Sequence, residues 1–181
     1  MQVDIKALFS SENKKRGVEK YADIMQTFPS VNVATDKNFQ RKFNGFYRVR
    51  RNEEWQNYYY AIMQKGKINK LSFEEVLFEL YMKTGKVESS FASKLLHTLN
   101  NEMPIWDKFV LQNLGLKMPI CQGEKKIEHA VRIYQEIIVW YEKALSVSEV
   151  NQKILEFDEL FPEYKWFSKT KKLDFLLWQM R

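Results

Sequence analysis

The stretch from Glu88 to Leu116, E-S-S-F-A-S-K-L-L-H-T-L-N-N-E-M-P-I-W-D-K-F-V-L-Q-N-L-G-L, decides how the chain is read. Ala92, Leu95, Leu96 and Leu99 recur at i, i+3, i+4 and i+7, the stripe of a helix buried on one side. Ser89 or Ser90 is placed to cap it, because a hydroxyl accepts a hydrogen bond from an unpaired N–H of the opening turn. Asn100 and Asn101 end it, and Met103-Pro104 forces an extended residue before the proline. A second helix opens near 105–107 with an apolar face of Ile105, Phe109, Val110 and Leu114, and Gly115 closes it as a left-handed cap. Asp107 falls in its first turn, where the helix dipole favours a carboxylate. It also stands between Trp106 and Phe109, and a carboxylate held partly dry beside a cleft has a raised pKa or stabilises a nearby cation.

Upstream of this stretch, Ser72-Phe73-Glu74-Glu75 is a capping box that starts a helix through Val76, Leu77, Leu80 and Tyr81, stopped by Gly85. Before it, Asn52 caps a helix containing Trp55, Tyr58, Tyr59, Tyr60, Ile62 and Met63, and Gly66 stops that one. A helix from about 37 to 51, capped by Asp36, interleaves Phe39, Phe43, Phe46 and Tyr47 with Arg41, Lys42, Arg48, Arg50 and Arg51. Guanidinium groups suit phosphates and aromatic faces suit an unstacked base, so this element is a candidate nucleic-acid contact or else a core helix with a wet arginine face. The first helix, about 11 to 27, buries Val18, Tyr21, Ala22 and Met25 and opens on the basic run Asn13-Lys14-Lys15-Arg16. Downstream, Ile127, Ala130, Val131, Tyr134, Ile137, Ile138 and Tyr141 stripe a long helix over about 125–144. Ser148 caps a further helix that ends at Pro162, and the last helix, 169–181, is so apolar that it must dock into the main body.

Composition narrows the class. The 181 residues suit one domain, and 45% hydrophobic with 15% aromatic content argues against disorder. Helical periodicity dominates and alternation is nearly absent, so the expected fold class is all-α. The single cysteine, Cys121, excludes an intramolecular disulfide or a four-cysteine iron–sulfur cluster within the chain, and His97 and His129 have no metal-ligand spacing. No metal or other cofactor is expected. The opening M-Q-V-D-I-K-A-L lacks an apolar run, and no stretch is long enough to span a bilayer, so a cytoplasmic protein is expected. A net charge of +6 permits a polyanionic partner without requiring one.

Pro104-Ile105-Trp106-Asp107 leading to Leu114-Gly115-Leu116 resembles the segment of helix-hairpin-helix DNA glycosylases in which a proline, a hydrophobe and a catalytic aspartate open a helix that ends in Leu-Gly-Leu. The preceding Ser89-to-Thr98 run resembles the second helix of that family's hairpin, with Ala92 at its alanine. The resemblance implies a multi-helix globular domain over 1–181, with two helical lobes and a cleft. About 30–120 would form the central lobe, with 1–29 and 121–181 packing as the other. It implies Asp107 as the catalytic acid and puts Ser90 where bifunctional members carry lysine and some monofunctional members serine. Lys94, one turn later, is the amine available if the register slips. Trp106 and His97 become base-pocket candidates. Lys83, Lys86 and Ser89 fall at the hairpin, and Asn44, Tyr47, Arg48 and Arg51 on the early helix, as candidate contacts to double-stranded DNA. One departure stands out: the family's Leu-Pro-Gly-Val-Gly hairpin lies over Thr84-Gly85-Lys86-Val87-Glu88, where only Val87 agrees.

The expected function is therefore a DNA glycosylase-like N-glycosyl hydrolase acting on a flipped, damaged or modified base. The alternatives are a non-catalytic nucleic-acid-binding module with a degenerate hairpin, or a helical interaction module.

Overall fold

The computed structural model describes residues 4–117 and 123–179, and among these every regular element is helical, with no strand. The order is α1 Ile5–Leu8, α2 Glu12–Thr27, α3 Lys37–Tyr47, α4 Glu53–Gly66, α5 Phe73–Thr84, α6 Ser89–Leu99, α7 Lys108–Asn113, α8 Glu124–Leu145, α9 Ser148–Leu160 and α10 Lys169–Gln179. Short 3-10 turns, Phe28–Ser30 and Pro162–Tyr164, follow α2 and α9. Cys121 lies outside the described residues.

The local signals that start and stop these helices work as side-chain chemistry demands. Asp36 accepts from the Phe39 N–H at 2.8 Å and Asn52 from the Trp55 N–H at 3.0 Å. Ser72 and Glu75 close both halves of the capping box, at 3.2 and 2.7 Å. Elsewhere the expectation fails. The helix expected to run to 51 ends at Tyr47, because Arg48 turns left-handed at φ 55° and Val49 folds back into the core, its N–H on the Asn44 carbonyl at 3.0 Å. Neither Ser89 nor Ser90 caps α6: the capping position is Glu88 and no side chain bonds the opening turn. Ser148 is the first residue of α9 rather than its cap. The helix after Pro104 begins later than expected, at Lys108, leaving Ile105 and Trp106 extended and buried.

The buried side chains form two clusters. One gathers α3, α4, α5, α6 and α8 around Phe43, Tyr59, Leu77, Leu95 and Ile137; the other joins α1 and α2 to α9 and α10 through Phe9, Tyr21, Phe157 and Phe175. Phe46 of α3 packs against both. Gly66 lets α4 approach α6: an ideal Cβ there would fall 2.4 Å from the Leu99 Cδ1.

The terminal helix is the central one. Every residue from Thr170 to Leu177 is buried, and α10 packs against α1, α7, α8 and α9. Two lysines are carried inward with it. Lys171 pairs with Asp174 at 2.7 Å and Lys172 with Asp158 at 2.6 Å, as buried ammonium groups must.

Candidate functional site

Asp107 is fixed by the extended link between α6 and α7, which is pinned at three successive points. The His97 ring accounts for the first. A carbonyl only accepts, so Nδ1–H donates to the Met103 carbonyl at 2.7 Å, and Nε2 of the neutral ring accepts from the Tyr21 hydroxyl at 2.8 Å. The Tyr134 hydroxyl then donates to the Pro104 carbonyl at 2.8 Å. Finally the Trp106 N–H donates to Ser93 Oγ at 2.9 Å. Asp107 follows directly, half-buried, as the N-cap of α7, with one carboxylate oxygen accepting from the Phe109 N–H at 2.9 Å. At the other end of α7, Gly115 is left-handed at φ 66° and both reverse bonds of the closing motif form, Leu116 N–H to Leu111 O at 2.9 Å and Gly115 N–H to Gln112 O at 3.1 Å.

The second candidate is the amine of Lys94 on α6. It is largely buried and faces Phe91 and Tyr47, 5.2 and 5.9 Å from their ring centroids, with the Tyr47 carbonyl at a long 3.5 Å. Burial lowers its pKa, and the negative charges of Asp107 and Asp174 oppose that shift. Lys94 is thus a dehydrated amine that feels the Asp107 carboxylate, one turn after Ser90 on the same helix. Ser90 is half-buried and its carbonyl accepts from the Ser93 hydroxyl at 3.0 Å.

Two residues expected to line a base pocket belong to the core instead. Trp106 is 4% exposed and stacks in a file with Phe73 and Tyr134, at 6.1 and 6.5 Å. His97 is fully buried with both ring nitrogens engaged, and burial pushes its pKa down to about 3. Tyr47 is buried too; burial first, and Asp174 second, raise its pKa well above the usual value, against a smaller lowering by the Thr98 side chain. It therefore faces the interior beside Lys94 rather than presenting a surface for DNA.

The basic candidates divide. Arg51 places Nη2 on both oxygens of Glu88, at 2.9 and 3.0 Å, and its guanidinium 5.2 Å from the Phe91 ring, so it holds the hairpin to α4. Lys83 pairs with Glu54 at 2.9 Å on the surface. Lys86 and Arg48 are exposed. Ser89 is buried and its hydroxyl finds no hydrogen-bond partner among the described residues. Asn44 is locked sideways, accepting from the Tyr60 hydroxyl and donating to Gln56, both at 2.7 Å.

Ser93, Phe91 and Asp174 were not among the residues singled out for the site. Ser93 and Phe91 lie within one turn of Lys94, a spacing visible in the sequence. Asp174 comes from α10, and nothing short of the tertiary arrangement brings it near. Among the described residues no group of three His, Cys, Asp or Glu is placed to hold a metal ion, and no helix is long and apolar enough to cross a membrane. Two shallow, open depressions lie elsewhere, one of about 470 Å³ between α3 and α4 and one of about 530 Å³ lined by Phe28, Lys67 and Asn100.

Compared with protein-family models, curated proteins and solved structures, the chain matches none.

Proposed function

We propose that this chain acts on double-stranded DNA in the cytoplasm as an N-glycosyl hydrolase of the helix-hairpin-helix glycosylase kind, on a damaged or modified base turned out of the duplex. The observation carrying this reading is the half-exposed carboxylate of Asp107 at the opening of α7, together with the dehydrated Lys94 amine that feels its charge from α6. Breaking a glycosidic bond builds positive charge on the sugar, and a fixed carboxylate in a partly dry site stabilises it. The three-point pinning of 103–106 supplies the rigidity such a role needs. A lowered pKa leaves the Lys94 amine neutral more often than a surface lysine, so it attacks the anomeric carbon as the carbon–nitrogen bond to the base breaks, and water then hydrolyses the resulting imine to free the lysine and complete the hydrolysis. Ser90 is then a neighbour that orients water or substrate. Arg48 and Lys86, both exposed, are the candidates for phosphate contacts.

Base release from duplexes carrying uracil, oxidised purines or alkylated purines tests the reading. Turnover by the wild type and its loss, by about a hundredfold or more, in Asp107→Asn is the expected result. Turnover retained in that variant would remove Asp107 from the chemistry.

A second reading is favoured by one observation: neither of the two depressions is lined by Asp107. A module that holds nucleic acid without chemistry would bind with a steep negative salt dependence. It would release no base from any of these duplexes.

A further inference from the structure

Helices α3 and α4 pack through Phe39 and Phe43 against Tyr59 and Tyr60, and they also border an open depression of about 470 Å³ whose lining includes Lys37, Arg41, Asn44, Val49, Glu53 and Gln56. Its carboxamides are held in one orientation by a directed chain. The Tyr60 hydroxyl donates to Asn44 Oδ1 at 2.7 Å, Asn44 Nδ2 donates to Gln56 Oε1 at 2.7 Å, and Gln56 Nε2 donates to the Arg51 carbonyl at 2.6 Å. The donors are fixed by the acceptors, so neither amide can flip. Each amide keeps a second N–H and each oxygen a second lone pair, so the pair offers donors and acceptors of settled direction. The same wall carries two cations. Lys37 lies 3.2 Å from Asn57 Oδ1 and 3.8 Å from Glu53, and Arg41 donates to Asn38 at 2.9 Å, both on the exposed rim.

We infer that this α3–α4 depression is a second binding site, separate from Asp107 and Lys94, and that its ligand is a nucleotide. A heterocycle edge with alternating donors and acceptors matches two oriented carboxamides, as carboxamide side chains read bases generally. The phosphate falls to Lys37 and Arg41, and Glu53 accepts from sugar hydroxyls. A cavity of this size lies within the range that takes a small ligand of that bulk. The nucleotide is either free or one residue of a strand.

The test is amide-resolved NMR titration of the full chain with nucleoside 5′-monophosphates, a 5′-phosphorylated trinucleotide, the parent nucleosides and inorganic phosphate. Shifts confined to amides of α3 and α4 are expected with the nucleotides, at an affinity at least about tenfold better than for nucleoside or inorganic phosphate alone. Tighter binding of the trinucleotide assigns the ligand to a strand, and equal or weaker binding assigns it to the free nucleotide. The double variant Lys37→Ala, Arg41→Ala alters only exposed side chains and should weaken nucleotide binding about tenfold while leaving nucleoside binding unchanged. Gln56→Ala should weaken both. Asp107→Asn and Lys94→Ala should bind as the wild type does, whether or not the chain cleaves any base. The inference falls if inorganic phosphate binds as well as the nucleotides, if no α3 or α4 amide moves, or if Asp107→Asn abolishes binding.

Discussion

His97 shows how one side chain fixes the approach to the site and what that costs. Its ring is fully buried with both nitrogens engaged, and its pKa lies near 3 against 6.5 for a free histidine. Below pH 6.5 the unfolded chain takes up a proton that the folded chain refuses. Stability therefore falls as the pH drops from 6.5, and goes on falling until the folded ring itself protonates near pH 3. At pH 4.5 the loss is of the order of 2–3 kcal/mol. Urea unfolding from pH 7 to 4.5 should show it, and His97→Gln should flatten the dependence above pH 5. Trp106 makes a sharper distinction. As part of the stack with Phe73 and Tyr134, its replacement by alanine should cost about 3–5 kcal/mol in urea unfolding. A base-pocket residue would lose activity with little loss of stability.

At the scale of the helix, Asp107 has two duties that a pair of substitutions separates. Asparagine caps about as well as aspartate, so Asp107→Asn should unfold within about 0.5 kcal/mol of the wild type, whereas Asp107→Ala should lose about 1 kcal/mol. A large loss in the asparagine variant would mean that the charge stabilises the fold. Arg48 is the other instructive position, held left-handed at φ 55° at the end of α3. Arg48→Gly should raise stability by up to about 1 kcal/mol and weaken DNA binding in filter assays. The elements themselves were legible because their signals are local. Ser72 with Glu75, Asp36, Asn52, Gly85 and Gly115 act on backbone groups within a few residues and need no tertiary partner. The misread ends of α3 and α6 were settled by distant groups: Val49 is drawn into the core, and Glu88 is turned toward Arg51 on another element.

At the scale of the molecule, the sequence revealed that the last helix docks but not that it is buried among α1, α7, α8 and α9. Its pattern reads as apolar with scattered charges, and only the fold shows Lys171 and Lys172 finding Asp174 and Asp158 inside. Lys171→Ala should destabilise by about 3–5 kcal/mol, because it leaves Asp174 buried without its partner. Lys171→Met with Asp174→Leu should be near neutral, measured in the same urea series. The candidate site was legible in part for the same reason. Asp107 and Lys94 lie on adjacent elements of one continuous stretch, so both could be picked out from local pattern. The surroundings of Lys94 are set by Tyr47, from across the fold, and Phe91, on a face of α6 whose burial the pattern does not give, with the opposing charge of Asp174 brought in by α10. That amine is the part of the account open to the most direct test, because a duplex with an abasic site presents the sugar without needing the unknown base. Borohydride reduction of the wild type on such a duplex, followed by peptide mass mapping, should give one covalent adduct on Lys94, lost in Lys94→Ala. An adduct on any other amine, or no adduct at all, would contradict it.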